Sequence, residues 1–534
     1  MISILASESE LPPAERVWGP GPGEVQAADG QEGACWLSLT RLLGWDAEVR
    51  YEDLAGCGEE VRCAIVACDP ASVGVDEVAG LVSRLGRDPM LLITRVPPAG
   101  SPLAELTGTA ARGERRVQGQ LLWDGPGEAR QWDAWPELEL QNLGSDPSTS
   151  APRRTADAHG GLTPLGMWAS LGEAPLVLAR RSGNGAVATL AADPAELARA
   201  TPSGTGILKW LLTRGAPPPA AWLELDGYVG LRMDDPGSAS TAHLDSWAHR
   251  SLSASEWRAI AAELSRRQAR MTVGYVPGWV DDGDPERGEL FVGGEPVERV
   301  PARIHPSPLV AYRRLPGGPA QDHPEELPGI RELRDADAGE IELHGHTHIR
   351  PPLEAWAQAS DRHEAGHWYR ELEGDEAAPV AEGLELLERH LGVSPTALCC
   401  PGNACSPAAA ASALEAGMSL VSAGRLGIRD GERLVWSEHV RSPYLDGASG
   451  HWLEAGVPAV ACLHDREPVL HGIGWLAENL DRWIECGARR LCDLRELAGL
   501  LGQRISVSDA GVVEVASRGL DPIGEVPTAS RLRD

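Results

Sequence analysis

Three apolar runs in this sequence stop abruptly in acidic or imidazole side chains, and that arrangement constrains the fold more than any other feature. YVGLRM (228–233) runs into Asp234-Asp235, GEIEL (339–343) into the cluster His344-Gly345-His346-Thr347-His348, and VPAVACL (457–463) into His464-Asp465. Short apolar stretches separated by helical patterns read as buried parallel strands of an α/β sheet. Proteins built of parallel strands and returning helices place their chemistry just beyond the strand ends. The intervening segments agree. Ser253-Ala-Ser-Glu256 is a capping-box pattern that opens a helix, RMTVGYV (270–276) is a strand, and a helix near 377–391 precedes the strand TALCC (396–400) and Pro401-Gly402-Asn403. SPAAAASALEAG predicts a helix, MSLVSA a strand, and a further helix is expected near 471–486.

Residues 1–222 carry an earlier β/α alternation: helices at 31–44 and 76–86, apolar runs at 61–68 and 89–96, and two strands about Gly183-Asn184-Gly185. A chain of 534 residues exceeds what one hydrophobic core organises, and the proline-rich RGAPPPAAW marks a joint. The expected organisation is a first domain over 1–222, a second over 226–502 with an insertion near 277–335, and a short β extension or tail over 503–534. The element order of the first domain resembles the class I glutamine amidotransferase-like fold, a doubly wound, flavodoxin-like sheet. That family's nucleophile elbow, a Cys between glycines, is missing: Cys68 ends a strand and continues into Asp69-Pro70. Cys68 is therefore read as a buried structural thiol, and the domain as accessory.

A formal net charge of -30 argues against binding to a phosphate backbone, which needs clustered Lys and Arg, and disfavours anionic lipid. No stretch approaches the roughly 20 apolar residues of a membrane span. The opening MISILASESELPPAERV lacks a basic segment followed by an apolar run, so no secretory signal is expected. None of the ten cysteines forms a CxxC pair, and reduced thiols in a cytoplasmic protein are the expectation.

Three histidines in five residues, in a chain with fifteen, point to a metal. His344 and His348 are four apart, a spacing that puts both imidazoles on one face if the segment turns into helix. Two neutral imidazoles and one carboxylate, with positions left open, suit a catalytic Zn²⁺ or a similar ion. Of the adjacent Asp234 and Asp235, one can ligate metal while the other takes a proton from water.

With these clusters in order, residues 226–500 resemble the polysaccharide deacetylase family, whose fold is an irregular (β/α) barrel. The resemblance implies that Asp234 is the catalytic base, that Asp235, His344 and His348 bind one divalent ion (Zn, or Co, Ni or Mn), and that His464 is the general acid. It also implies hydrolysis of an amide bond in an acetylated amino sugar or related glycan. Arg232, Pro401, Gly402, Trp368 and Arg370 are the expected substrate contacts, with aromatic packing the alternative for Trp368 and Arg370. The Arg that usually opens the family's third motif is absent, with Cys399 and Cys400 in its place, so Arg232 or Arg370 is expected to orient the base. The family's fourth motif is not recognisable. Residues 277–335, rich in Gly and Pro, are expected to form a lid, and their Asp281-Asp282 is a competing Asp-Asp pair.

Two rivals use the same residues. Gly345-His346-Thr347-His348 matches the last metal motif of calcineurin-like metallophosphoesterases, whose Asp-x-His appears upstream only as Asp157-Ala158-His159. An amidohydrolase with a carbamylated lysine has only Lys209 available. The third alternative is a catalytically silent sugar-binding protein.

Overall fold

The computed structural model describes residues 2–5, 32–50, 61–118, 120–126, 129–134, 138–145, 166–171, 173–374, 379–431, 433–437, 439–508, 510–517, 522 and 525–531. Cys57 and Asp157-Ala158-His159 of the phosphoesterase reading lie outside them. The protein is α/β, with two nine-stranded mixed sheets. In the first, Ala47–Arg50, Ile2–Leu5, Cys63–Val66, Leu91–Arg95 and Gly185–Leu190 run parallel. Antiparallel strands continue it, starting with Ala174–Ser182, whose Ser182 pairs Gly185 across the two-residue turn that the sequence announces.

The second sheet carries the three clusters. Its parallel strands are Leu420–Ser422, Ala397–Cys399, Gly339–Leu343, Met271–Tyr275, Tyr228–Asp234 and Ala459–His464, in that spatial order. Two antiparallel strands, Leu426–Asp430 and Arg433–Ser437, extend one edge. Arg490–Cys492 pairs in parallel with Tyr228, Val229 and Gly230 at the start of Tyr228–Asp234. Because the strands run parallel, every cluster emerges at the same edge, and Asp234 stands in register with His464. The capping box forms as read: the Ser253 side chain accepts from the Glu256 N–H, and Glu256 reaches back to the Ser253 N–H.

The segment expected as an irregular lid is folded. Glu295–Pro296, Gly288–Val292, Val310–Arg314 and Ala320–Asp322 form a four-stranded antiparallel sheet, and Gly278–Val280 pairs with Ile304–Pro306. Gly293 and Gly294, both at positive φ, make the two-residue turn between Val292 and Glu295, so glycines of this segment serve as hairpin corners. This small sheet has its own apolar cluster of Trp279, Leu290, Val310, Tyr312, Ile349, Trp356 and Tyr369.

One buried cluster runs through both large sheets. It joins Trp36, Leu39, Leu208 and Trp222 to Cys399, Leu420, Val460, Cys462 and Leu494. The sole lysine lies along the same seam: Lys209 is buried, bonded to Asp226, to Glu224 at 3.2 Å and to the Gly456 carbonyl at 2.6 Å. In the tail, Gln503–Val507 pairs Val513–Ser517 and Thr528–Arg531 pairs Ala220–Leu223. Among the described residues no helix is long and apolar enough to cross a membrane.

Candidate metal centre

Side chains alternate along a strand, so Arg232 and Asp234 share one face of Tyr228–Asp234, and Asp235 is the first residue past its end. Asp235 has φ 82°, a left-handed conformation uncommon for a residue with a Cβ. Its Oδ1 stands 3.3 Å from His344 Nε2 and 3.1 Å from His348 Nε2, and all three side chains are buried.

The His motif makes no helix, contrary to the spacing argument. Its backbone curls around the carboxylate of buried Glu371. Oε2 accepts from the N–H groups of His346 and His348, each at 2.9 Å, and Oε1 accepts from the Thr347 N–H at 3.0 Å and hydroxyl at 3.1 Å. Gly345 (φ 65°) and His348 (φ 59°) are both left-handed. A Cβ on Gly345 would lie 2.2 Å from Glu371 Oε2, so only glycine fits. Successive backbone N–H groups wrapped on an anion, rather than a helix face, bring the two rings to 5.0 Å between centroids.

The donor set fits a divalent cation. His344 Nδ1 faces the Cys399 carbonyl at 3.1 Å, and a carbonyl only accepts, so Nδ1 carries the proton and Nε2 offers a lone pair to the site. Two ligand atoms each about 2.1 Å from a tetrahedral ion stand about 3.4 Å apart, close to the separations seen here. Burial pushes the Asp235 carboxyl up, but His348 and His344 outweigh it and hold Asp235 well below the usual carboxylate range. A second trio, His243, Asp282 and His363, has the same ligand types within reach of one another.

Asp234 is held differently. Its Oδ2 accepts from Arg232 Nε at 3.1 Å and Nη2 at 2.6 Å, whereas Oδ1 is buried without a hydrogen bond, 3.9 Å from His344 Nδ1. Arg232 is only 1% exposed, and its other donors go to Ser422 and to Asn403 Oδ1. That commitment suits an orienting group rather than a substrate contact. Arg370, the other candidate for orienting the base, is exposed and pairs with Glu373 at 3.1 Å.

His464 Nδ1 stands 3.3 Å from Glu467 Oε2. Burial alone would lower its pKa, but the Glu467 contact and the charges of Asp235 and Asp234 raise it to about 9. Trp247 links it to the ligand set: its Nε1 donates to Asp235 Oδ2 at 3.3 Å, and its ring meets His464 edge-on at 5.0 Å. The Pro401–Asn403 turn lies behind the His motif, with the Pro401 ring against Gly345. The Cys400 N–H is engaged by the Ser422 carbonyl at 2.8 Å, and Pro401 has no N–H to offer. Trp368 stacks on His367 at 4.8 Å and donates to Asp361 at 2.9 Å, packing against the small sheet's aromatic cluster. The competing Asp281 is consumed structurally, accepting from Arg299 Nε at 2.7 Å and from the N–H groups of Gly283 and Val300. Glu371, Trp247 and Glu467 were not read from the sequence. Only Glu467, three residues after His464, left a local trace.

No known family profile matches the chain, and no curated protein does. Solved structures give weak likenesses. An exo-β-1,4-mannosidase from Opitutaceae bacterium strain TAV5 is 13% identical over 36% of this chain and 31% of its own, at a TM-score of 0.23. A cytoplasmic protein from Salmonella typhimurium LT2 is 11% identical over 30% of this chain and 76% of its own, at 0.22. A mutant of a CE4 family pseudoenzyme with restored enzymatic activity is 10% identical over 52% of this chain and 68% of its own, at 0.25. The match spans under a third of the mannosidase, and TM-scores this low carry no argument about activity.

Proposed function

We propose that the chain is a divalent-metal-dependent hydrolase of carbon–nitrogen amide bonds, acting in the cytoplasm on an N-acetylated amino sugar or a soluble conjugate of one. In this reading the second large sheet is an irregular (β/α) barrel of the polysaccharide deacetylase kind, covering 226–502, and residues 1–222 form an accessory amidotransferase-like domain. The observation that carries it is the convergence at the same strand ends of an Asp-His-His trio, a neighbouring aspartate with one oxygen outside any hydrogen bond, and a histidine set against Glu467.

Asp235, His344 and His348 would hold the ion, zinc by the chemistry of the donors. When bound, such an ion lowers the pKa of water and polarises a carbonyl. Asp234 Oδ1 takes the proton from the attacking water, its other oxygen fixed by Arg232. His464 stands beside Asp234 in register and gives its proton to the departing amine as the C–N bond breaks. The products are acetate and a free amino sugar.

Metal analysis of the purified protein, with acetate release assayed across N-acetylated sugars, tests this. One ion lost on Asp235→Asn together with metal-dependent acetate release supports the reading. Tight metal binding with no turnover on any amide identifies the silent sugar-binding alternative instead.

A further inference from the structure

His243, Asp282 and His363 come from three segments far apart in sequence, and no step of the proposed reaction uses them. His243 lies in the short helix that follows the Asp235 turn, Asp282 at the start of the inserted sheet, and His363 in the loop beyond the His motif. Asp282 Oδ2 stands 3.3 Å from His243 Nδ1 and 3.7 Å from His363 Nε2. None of these three buried atoms has a hydrogen bond.

The outer nitrogens settle what faces inward. His243 Nε2 lies 3.1 Å from the Val280 carbonyl, and His363 Nδ1 lies 3.0 Å from the His243 carbonyl. Carbonyls only accept, so those nitrogens carry the protons and Nδ1 of His243 and Nε2 of His363 are bare. Three lone-pair donors therefore point at one spot. A bridging water has two protons and leaves one acceptor unsatisfied. A single proton between His243 and Asp282 leaves His363 unsatisfied. One divalent cation serves all three, and the separations bracket the roughly 3.4 Å expected between tetrahedral ligands.

The charged groups nearby are three guanidinium groups and three carboxylates, Asp282 among them. Arg299 takes the other oxygen of Asp282 and also binds Asp281. Arg287 Nε is 3.7 Å from Asp282 Oδ2 while its Nη2 donates to Asp245, which Arg314 also pairs. His243 and Asp282 are fully enclosed, with the rings of Trp279, Tyr312 and Trp356 within 5.1–5.7 Å of His243. Such a setting admits an ion and excludes a substrate.

We infer that His243, Asp282 and His363 bind a second divalent ion, a structural clasp that ties the inserted sheet to the two loops leading away from Asp235 and His348. It rests on geometry separate from the hydrolase reading and stands or falls independently.

The test loads wild-type protein and variants with Zn²⁺ and counts ions per chain, with thermal melts alongside. Wild type is expected to hold two ions, Asp235→Asn one, His363→Gln one, and the double variant none. His363→Gln is chosen because that side chain is partly exposed and its loss leaves the Asp282–Arg299 pair intact. As a measurement independent of variant folding at this site, Zn²⁺ should still raise the melting temperature of Asp235→Asn protein, and cleavage within 283–318 by a protease should slow on adding it. A single ion in wild type that survives His363→Gln and vanishes in Asp235→Asn overturns the proposal. A single ion lost in His363→Gln but kept in Asp235→Asn upholds it and sinks the first metal centre instead.

Discussion

Arg232 Nη2 donates to Asp234 Oδ2 at 2.6 Å from two residues earlier on the same strand. Residues two apart on a strand share a face, so the strand that delivers the aspartate also delivers its anchor. Under the proposed function, an arginine from elsewhere in the chain is not needed to orient Asp234, although cysteines stand at 399 and 400. Burial opposes the Arg232 charge, but Asp234 overcomes it and holds the guanidinium well above its ordinary value.

Arg232→Lys should lower kcat by about 10- to 100-fold, the scale of a misplaced catalytic group, and leave KM and metal content near wild type. A fall in KM affinity alone, measured by steady-state kinetics, would make Arg232 a substrate contact.

Asp234→Asn should keep the ion and the fold but lose on the order of 10²–10⁴ in turnover, the usual share of proton transfer. Asp235→Asn should lose the ion first, with activity partly restored by excess metal. Equal metal loss in both, by elemental analysis, means both ligate and the base lies elsewhere.

Glu371→Gln keeps the shape of the anchor beneath the His motif but removes its charge and one acceptor. Metal affinity at Asp235, His344 and His348 should fall by about 10- to 100-fold, as when groups orienting metal ligands are changed. Gly345→Ala should do worse, since a Cβ there meets Glu371. Competition against a chelator reads both, and unchanged affinity in both would mean the loop holds its shape without the carboxylate.

His439 sits on the seam between the halves, its Nε2 2.9 Å from the Cys35 carbonyl, and burial lowers its pKa to about 4. A depressed histidine contributes stability that is complete above its unfolded value near 6.5 and fades as pH falls toward 4. Between pH 7 and pH 5 wild type should lose about 2 kcal/mol more than His439→Gln. Denaturant midpoints at the two pH values decide it, and parallel losses would assign the acid sensitivity to other groups.

The strands and their order along the chain were legible because their signal is local: apolar runs, a capping box, a Gly-Asn turn. The convergence of Asp235, His344 and His348 was legible for the same reason, each ending or following such a run. The path of the His motif was not. It depends on Glu371, a residue with no pattern of its own, whose carboxylate satisfies backbone N–H groups more than twenty positions earlier. The strands inside the insertion went unread because glycine marks hairpin corners as well as loops. Asp282 was weighed only as a rival to Asp235, since nothing in sequence ties it to His243 and His363.

The buried cluster that runs through both large sheets has a consequence for how this chain can be dissected or can diverge. Cys399 and Cys462, on strands that end at the metal centre, belong to the same cluster as Trp36 and Trp222. Cutting at the proline joint would strip one wall from those strands and leave their buried apolar side chains facing water. The halves are not interchangeable modules. A substitution at Trp36 and one at Cys462 would disturb the same packing.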